Sequence, residues 1–293
     1  MAFDWTVLKL LEWTTAYFQS HDIDSPRSTA EILLAAVLNL ERIDLYLRYD
    51  QPLKSTELQR FKTLIRRRVR REPVAYIVGR REFWSLDLMV TPDVLIPRPE
   101  TECLVEQALP LLDRDRPLRV LDLGTGSGAI AIALAHEVPQ HRYWASDVSE
   151  RAVRIARRNA IQHGLQDRIA FFCGAWMDAL HPRRACFDLI ISNPPYIPGG
   201  QIDRLQPEIA QFEPRRALDG GAGGIDCIRA ILREAPRYLA ATGTLLMEIG
   251  EDQRVHVERL AGEIGGYQPP LFFNDYAGAV RGMCLGRARP KNP

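Results

Sequence analysis

The chain has 293 residues, of which 46% are hydrophobic and 26% are charged, and its formal net charge is +1. This composition is that of an ordinary globular protein, and it excludes intrinsically disordered and fibrous proteins. The near-neutral charge also argues against a protein that binds nucleic acid over its whole surface by neutralising phosphates.

Two further features limit the class of protein. The five cysteines are widely separated and form no C-x-x-C pair, so they indicate neither a disulfide framework nor a structural zinc site. Charged residues interrupt the apolar N-terminus, and the run from Ile32 to Leu40 is about half of the roughly 20 apolar residues that cross a membrane. We therefore expect a cytoplasmic protein without a membrane segment.

Residues 1–75 are expected to form a small helical domain. Apolar residues recur there at spacings of three and four, as in Val7, Leu10 and Leu11, which is the pattern of amphipathic helices. Within this region the stretch from Arg60 to Arg71 contains seven basic and no acidic residues. The pattern fits either the solvated face of a helix or a docking face for an acidic partner or RNA.

A β-hairpin linker is expected over residues 76–100. The apolar periodicity changes between Tyr76 and Val94, and Gly79 with the polar residues after it is expected to reverse the chain. Pro92, Pro97 and Pro99 then restrict the backbone of the segment that follows. Residues 101–293 remain for a second domain.

Strand and helix patterns alternate after Pro117, which predicts an α/β fold with a mostly parallel sheet and helices on both faces. The last two predicted strands lack a helix between them and should pair antiparallel. Ligands of such sheets bind beyond the carboxyl ends of the strands. The predicted strands are Val120–Leu123, Tyr143–Val148, Ile169–Cys173, Phe187–Ser192, Thr244–Ile249, Leu271–Phe273 and Gly282–Leu285, and the helices are Ala129–Glu137, Glu150–His163, Asp226–Leu239 and Asp252–Ile264.

A glycine-rich turn follows the first predicted strand of this domain. Its glycines, Gly124, Gly126 and Gly128, have the spacing G-x-G-x-G, whereas a dinucleotide site requires G-x-G-x-x-G. Asp122 lies two residues before the first glycine. A carboxylate beside bare backbone suits a ligand with an ammonium group and a nucleoside, such as S-adenosylmethionine, better than a pyrophosphate.

The end of the next strand supplies an acidic residue, Asp147, which is 19 residues after Gly128. An acidic residue at this position accepts the ribose hydroxyls in dinucleotide folds. The alternative is an ordinary helix cap, because Ser149 and Glu150 follow. Together with the glycine turn, Asp147 indicates a nucleoside site.

The tetrapeptide Asn193-Pro194-Pro195-Tyr196 directly follows the strand Phe187–Ser192. The two prolines fix the backbone and remove two N–H donors, which leaves the Asn193 side-chain oxygen and a backbone carbonyl as acceptors. These acceptors can bind the two hydrogens of an –NH₂ group, and Tyr196 offers a flat face for stacking on a planar amide or base. This motif is the most specific signal in the sequence.

These motifs together resemble those of class I methyltransferases that act on planar –NH₂ groups. Two upstream segments, Tyr76–Phe83 and Val94–Glu102, resemble the HemK/PrmC family of protein-(glutamine-N5) methyltransferases, which modify peptide chain release factors. The segments Phe212–Gly221 and Gly243–Gly250 match that family as well. One departure is Ala279-Val280-Arg281, where the family usually has an acidic residue before the arginine.

The resemblance implies a seven-stranded, Rossmann-like methyltransferase sheet with a helical N-terminal domain that recognises the substrate. It implies methyl transfer from S-adenosyl-L-methionine to the glutamine amide of the release-factor Gly-Gly-Gln motif, which leaves S-adenosyl-L-homocysteine, without a metal. Neither a membrane nor direct binding to nucleic acid is expected. The implied cofactor residues are Asp122, Gly124, Thr125, Gly126, Ser127, Gly128, Asp147, Trp176 and Asn193, and the catalytic and substrate-binding residues are Asn193, Pro194, Pro195 and Tyr196.

Three alternatives stay open at this point. An adenine-N6 DNA methyltransferase would share the glycine turn and the Asn-Pro-Pro-Tyr motif, but it would need a basic surface to grip DNA. A ribosomal-protein glutamine methyltransferase is the second alternative, although it tends to lack the Pro-Glu-Thr-Glu sequence. A non-enzymatic binding module with a nucleoside pocket is the third. The long segment Ile197–Ile225 is expected to form the substrate mouth or a lid.

Overall fold

The computed structural model of the protein describes residues 5–112, 116–182 and 186–288. The chain divides into two compact units. The first ends at Arg80 and also includes Gln206–Phe212, and the second contains Arg81–Leu205 and the chain from Glu213 onward. Over these described ranges, no helix combines the length and the apolar character needed to cross a membrane.

The first unit is a bundle of short helices, which confirms the helical prediction for this region. Amphipathic faces bury one common core that includes Phe18, Leu33 and Phe61, each at most 1% exposed. Burial of such large apolar side chains is the main force that holds short helices together. Its helices are α1 (Val7–Gln19), α2 (Pro26–Leu38), α3 (Arg42–Leu47), α4 (Ser55–Val69), α5 (Val74–Val78) and a later short helix, Pro207–Phe212.

The basic stretch of α4 is not a uniformly solvated face. Arg68 is buried and donates to Glu208 across 2.7 Å, and Arg71 lies 3.0 Å from the same carboxylate. Arg67 donates to Glu72 across 2.6 Å. The interpretation as a solvated face is therefore wrong for Arg68, whereas Arg67 and Arg71 stay partly exposed and are paired with carboxylates of the first unit.

The hairpin exists, but its turn is not where the sequence analysis placed it. It is formed by β1 (Arg80–Phe83) and β2 (Leu86–Met89), and residues 76–78 belong to helix α5 instead of a strand. Gly79 has φ of 79° and ends that helix, with its N–H donating to Ala75 across 2.8 Å. A single apolar helical turn and a short strand have the same sequence pattern, which explains the error.

The actual turn consists of Trp84 and Ser85, whose φ values are 53° and 58°. A two-residue type I′ hairpin turn requires positive φ at both residues, and glycine or asparagine usually occupies these positions. The Trp84 backbone N–H donates to Glu102 and its indole N–H donates to Glu137, both across 2.8 Å. These bonds hold the turn against the helices that follow it.

The second unit contains a seven-stranded sheet, as predicted. Its order is β5-β4-β3-β6-β7-β9-β8; β3 to β7 are parallel, and β9 pairs antiparallel with both β7 and β8. The strands are β3 (Arg119–Leu123), β4 (Arg142–Asp147), β5 (Ile169–Cys173), β6 (Phe187–Ser192), β7 (Leu239–Glu248), β8 (Leu271–Asn274) and β9 (Val280–Gly286). The label α9 belongs to the short helix Pro207–Phe212 of the first unit. The helices of the second unit are α6 (Glu102–Ala108), α7 (Ala129–Glu137), α8 (Glu150–Gln162), α10 (Asp226–Glu234) and α11 (Arg254–Ile264).

Successive side chains of the central strands enter two separate cores. In β3, Val120 belongs to the core that contains α6 and α7, whereas Leu121 belongs to the core that contains α10 and α11. In β6, Leu189 and Ile190 divide in the same way. This alternation follows from the two-residue period of a strand and fixes the register of the sheet. Because β3, β4, β5 and β6 are parallel, the loops that follow them all lie at the carboxyl edge of the sheet.

Candidate active site

The glycine turn between β3 and α7 is held from two sides. The Thr125 N–H donates to the Ser146 carbonyl at the end of β4 across 2.9 Å, and the Thr125 hydroxyl donates to Asp122 across 2.6 Å. Gly124 and Gly126 have φ of 70° and 57° and expose their backbone to the cavity described below. A ligand can therefore approach the main chain at this turn without meeting a side chain.

Asp122 lies underneath this turn. Its side chain is 1% exposed, and burial raises the pKa of the carboxyl to about 7, against the opposing effect of the bond from Thr125. It does not line the cavity, although the sequence analysis placed it beside a ligand ammonium group. In the structure Asp122 supports the turn through Thr125.

Asp147 ends β4 and lines the cavity. One carboxylate oxygen accepts from the Gly126 N–H across 3.0 Å, and the other accepts from the Ser149 N–H across 2.8 Å. Burial raises the pKa of this carboxyl, while these two bonds and the charge of Arg216 oppose that rise. A carboxylate has about four acceptor sites, so Asp147 can still accept from two hydroxyl groups.

Trp176 forms part of the cavity wall and has a left-handed backbone, with φ of 48°. For a bulky residue this conformation costs on the order of 1–3 kcal/mol and is found mainly at functional sites. Its carbonyl accepts from the Ser146 hydroxyl across 3.3 Å. The conformation keeps a flat aromatic side chain next to the glycine turn.

These elements surround a cavity of about 240 Å³. Six of the predicted site residues line it: Gly124, Gly126, Asp147, Trp176, Asn193 and Pro195. The others, which are Asp122, Thr125, Ser127, Gly128, Pro194 and Tyr196, do not. Their predicted contacts with cofactor or substrate stay predictions.

Two further segments contribute residues to the cavity wall, and the second of them belongs to the segment Ile197–Ile225 that was expected to form the substrate mouth or a lid. They are 93–95 and the group of Pro214, Arg216 and Ala217. Both lie in or next to segments that match the HemK/PrmC pattern. That match is the feature of the sequence from which a place at the site could have been predicted for these residues. Buried Glu213 fixes both segments, because it accepts from Arg98 across 2.6 Å and from the Ile96 N–H across 3.4 Å. Burial raises the pKa of Glu213, although the Arg98 charge opposes the rise.

The Asn193 side chain projects from the end of β6 and is held by a neighbour. Its amide nitrogen donates to the Thr101 hydroxyl oxygen across 2.9 Å. Before it, the Ser192 hydroxyl donates to the Leu123 carbonyl across 2.8 Å, which joins the ends of β6 and β3. Asn193 and the glycine turn therefore lie on one rigid edge of the sheet.

Tyr196 is half-buried, and its hydroxyl donates to Glu248 across 3.1 Å. Burial and the neighbouring Glu248 charge raise the pKa of the phenol. Glu248 ends β7, is 1% exposed, and also accepts from the Thr101 hydroxyl across 2.8 Å. Burial raises the pKa of Glu248 to about 7, while Thr101, Tyr196 and Arg281 oppose the rise.

The residues present fit a nucleoside ligand. The turn exposes bare backbone, Asp147 offers acceptors for ribose hydroxyls, and apolar side chains with Trp176 form a wall for a base. Over the described part of the chain, no three acidic, histidine or cysteine side chains are grouped so that they could hold a metal ion.

Comparisons with known proteins identify the family. Residues 9–79 match the family model described as the PrmC N-terminal domain, and residues 101–212 match the methyltransferase small domain. The chain is 45% identical over 251 residues to a release factor glutamine methyltransferase of Geobacter sulfurreducens, covering 85% of this chain and 86% of that one. A Rhodopirellula baltica protein of the same name is 40% identical, with 97% of each chain covered. The chain belongs to the release factor glutamine methyltransferase family.

Solved structures agree with this family at the level of the fold. The hMettl16 catalytic domain in complex with an RNA hairpin has a TM-score of 0.57 at 16% identity, covering 83% of this chain and 86% of that one. A Thermus thermophilus 16S rRNA methyltransferase in complex with AdoMet and guanosine has a TM-score of 0.51 at 19% identity, covering 71% of this chain and 50% of that one.

Membership in the release factor glutamine methyltransferase family confirms the resemblance drawn from the sequence motifs. It also confirms that the protein is an enzyme with the Rossmann-like methyltransferase fold and that its cofactor is S-adenosylmethionine. Six of the residues predicted to bind cofactor or substrate line the cavity at the carboxyl edge of the sheet, and their roles there stay predictions.

Proposed function

We propose that this protein transfers a methyl group from S-adenosyl-L-methionine to the side-chain amide nitrogen of the glutamine in the Gly-Gly-Gln motif of a peptide chain release factor. The observation that supports this most directly is the position of Asn193. It lines the same cavity as the glycine turn and Asp147, and Thr101 holds its amide group in one orientation. The relatives at 40–45% identity carry the name of this activity.

On the cofactor side, residues of the cavity bind S-adenosylmethionine and orient it. The exposed backbone at Gly124 and Gly126 receives the methionine part, Asp147 accepts from the ribose hydroxyls, and Trp176 flanks the adenine. When bound, S-adenosylmethionine supplies a methyl group on a positively charged sulfur. The cavity wall excludes water around the site of transfer because most of its lining is apolar.

On the substrate side, the chain positions a poor nucleophile. The nitrogen lone pair of an amide is delocalised into the carbonyl group. The Asn193 side-chain oxygen and the Pro194 carbonyl accept the two amide hydrogens and direct the nitrogen toward the methyl group. Pro195 and Tyr196 complete this binding site. Positioning of this kind lowers a barrier by up to roughly 7–11 kcal/mol in favourable systems.

The release factor is proposed to meet the chain outside the cofactor cavity as well. Residues 1–75 serve as the domain that recognises it, residues 76–100 as the linker, and residues 101–293 as the catalytic domain. The bounds of the two compact units differ from those of these three segments. The first unit ends at Arg80 and also includes Gln206–Phe212, and the second contains Arg81–Leu205 and the chain from Glu213 onward. A substrate that acts in translation places the enzyme in the cytoplasm.

The alternatives receive less support. Relatives covering up to 97% of the chain are named for release factors, not for DNA or ribosomal proteins. A DNA methyltransferase also needs a basic surface to grip DNA, and three of the seven basic residues of the stretch Arg60–Arg71, which are Arg67, Arg68 and Arg71, are paired with carboxylates. We therefore do not expect direct binding to nucleic acid.

One assay distinguishes these functions. The protein is incubated with labelled S-adenosylmethionine and a release factor, with the same factor whose Gly-Gly-Gln glutamine is replaced by alanine, with a ribosomal protein, and with DNA. We expect label only on the unaltered release factor. Labelling of DNA, or equal labelling of both forms of the release factor, contradicts the proposal.

A further inference from the structure

A chain of hydrogen bonds connects Asn193 to residues that do not line the cavity. Asn193 Nδ2 donates to Thr101 Oγ1 across 2.9 Å, and Thr101 Oγ1 donates to Glu248 Oε2 across 2.8 Å. The other Glu248 oxygen accepts from the Tyr196 hydroxyl across 3.1 Å. Thr101 and Glu248 are 5% and 1% exposed, so water does not compete for these bonds.

The direction of each bond in this chain is fixed by the number of hydrogens available. A threonine hydroxyl has one hydrogen, and Thr101 gives it to the Glu248 carboxylate, which is acceptor-only when ionised. The Thr101 oxygen can then only accept, so Asn193 must present its –NH₂ group to it. The carboxamide oxygen of Asn193 consequently faces the other way, where it can accept a hydrogen from a substrate amide.

We propose that Thr101 and Glu248 are positioning residues that hold the Asn193 carboxamide with its oxygen toward the substrate. This inference rests on the proposed function, in which that oxygen accepts a substrate N–H. Neither residue lines the cavity, so each acts through Asn193 and not by touching substrate or cofactor.

Protonation of Glu248 changes the direction of these bonds. A protonated carboxyl can donate to Thr101, whose own hydrogen is then free for the Asn193 oxygen, and the carboxamide would turn its –NH₂ group toward the substrate. Two –NH₂ groups facing each other form no hydrogen bond. The ionised form of Glu248 is therefore the active one.

Several charged or titratable groups surround Glu248. Glu100 and Cys103 lie on the segment that carries Thr101, and both interact with Glu248 by charge. Arg281 of β9 favours the ionised form, and Arg281 is itself bound to Asp275 across 2.8 Å. Tyr196 donates to Glu248, which also favours the carboxylate. Because burial raises the pKa of Glu248 to about 7, its ionisation falls in the working range of pH.

Kinetics of three variants on the release factor test the inference. Thr101→Val keeps the shape of the side chain but cannot join Asn193 to Glu248, whereas Thr101→Ser retains the hydroxyl. We expect Thr101→Val to lower kcat on the order of 100-fold, the effect of losing one preorganised hydrogen bond at a reacting group, with nearly unchanged cofactor affinity. Its thermal stability should fall as well, because Glu248 and Asn193 each lose a buried hydrogen-bond partner. Thr101→Ser should stay near wild type. As a control, Thr244→Val removes a half-buried hydroxyl of β7 that lies outside the cavity lining and outside this chain of hydrogen bonds, and it should leave kcat unchanged.

The pH profile provides the readout that a merely structural role would not change. Wild-type kcat should rise with pH through about 7 as Glu248 ionises. Glu248→Gln should have lower kcat and lack this rise. A wild-type kcat for Thr101→Val, or the same rise in Glu248→Gln, overturns the inference.

A second measurement needs no release factor and so separates this inference from the proposed function. In ¹⁵N-labelled protein, the Asn193 side-chain amide signals should shift as pH passes through about 7, and the shift should disappear in Thr101→Val. Signals that do not respond to either change overturn the inference, even if methyl transfer to the release factor occurs. If the wild-type protein fails to label the release factor, the proposed function is wrong. The Asn193 amide signals then show by themselves whether Thr101 and Glu248 orient the Asn193 carboxamide.

Discussion

The carboxylate of Asp147 accepts a hydrogen bond from the backbone N–H of Gly126, with 3.0 Å between the two atoms. The bond joins the end of β4 to the glycine turn that follows β3, and both residues line the cavity. The acidic residue proposed to hold the ribose therefore also fixes the backbone proposed to hold the methionine part. A direct hydrogen bond therefore joins the two parts of the proposed cofactor site.

Replacement of Asp147 should weaken cofactor binding. In Asp147→Asn, the –NH₂ group must face either the Gly126 or the Ser149 N–H, and one accepting oxygen is lost. We expect the Kd for S-adenosylmethionine to rise about tenfold or more, which corresponds to about 1.4 kcal/mol, as measured by calorimetry. Glu150→Gln removes one nearby charge at an exposed position and should leave Kd unchanged. Equal affinity in both variants would refute the role of Asp147.

Removal of the Asn193 side chain should separate binding from turnover. Asn193→Ala lacks the acceptor for the substrate amide but leaves the glycine turn and Asp147 in place. We expect kcat to fall on the order of 100-fold or more, with the Kd for S-adenosylmethionine nearly unchanged. Single-turnover methyl transfer and calorimetry measure the two quantities. If turnover survives, Asn193 does not have the assigned role.

Asp122 should make stability depend on pH in a defined direction. Burial raises the pKa of this carboxyl from 3.8 to about 7, so its contribution to stability is complete below about pH 4 and is lost as pH rises through about 7. The free energy of unfolding of Asp122→Asn minus that of the wild type should therefore rise by roughly 2–4 kcal/mol as pH goes from 4 to 8. Urea unfolding at a series of pH values measures this difference.

Glu31 in the first unit provides a control of opposite sign. Burial alone would raise its pKa, but the bonds from Tyr46, Arg42 and Arg27 lower it below the ordinary value. Its stabilising contribution is therefore present above about pH 4.5 and is lost as pH falls. Relative to wild type, Glu31→Gln should be most destabilised at neutral pH. If both variants show the same sign of pH dependence, the assigned causes are wrong.

Gly128 should not tolerate a side chain. Its φ is 86°, and an added Cβ would lie 2.8 Å from Ile132 Cδ1 and 3.1 Å from Ala156 Cβ. Gly128→Ala should lower the free energy of unfolding by about 1–3 kcal/mol. Gly262→Ala is the matched control, because Gly262 lies inside α11 with open space around it and should gain up to about 1 kcal/mol. Thermal unfolding measures the stability of both variants, and an unchanged stability of Gly128→Ala would contradict the predicted strain.

Periodicity predicted the sheet domain closely because each element repeats its own pattern. The predicted helix Ala129–Glu137 has the observed bounds, and six of the seven predicted strands lie within two residues of those observed. The exception is β7, which begins at Leu239, where a helix was predicted to end, five residues before the predicted start at Thr244. The same reasoning failed for residues 76–78, which form the end of α5. Three apolar residues do not distinguish a helical turn from a strand, and the left-handed Gly79 that ends the helix resembles a hairpin glycine.

The buried asparagine of α8 shows what the sequence could not predict. Asn159 is fully buried, accepts from the Met89 N–H across 2.8 Å, and donates to the Ser127 carbonyl across 2.8 Å. It thereby binds the hairpin to the glycine turn, although the three residues are far apart in the chain. Such partners depend on how helices and strands pack, and no local pattern carries that information.

The sequence by itself determined the motifs, the family resemblance and most of the elements, because glycine turns, proline pairs and apolar periods act within a few residues. Only the tertiary structure decided that Asp122 supports the turn from below, that Glu213 joins two walls of the cavity, and that hydrogen bonds connect Asn193 to Thr101 and Glu248. These contacts join residues from separate strands and loops at one edge of the sheet. Their side-chain directions are fixed by burial and by hydrogen-bond partners that come together only when the chain has folded.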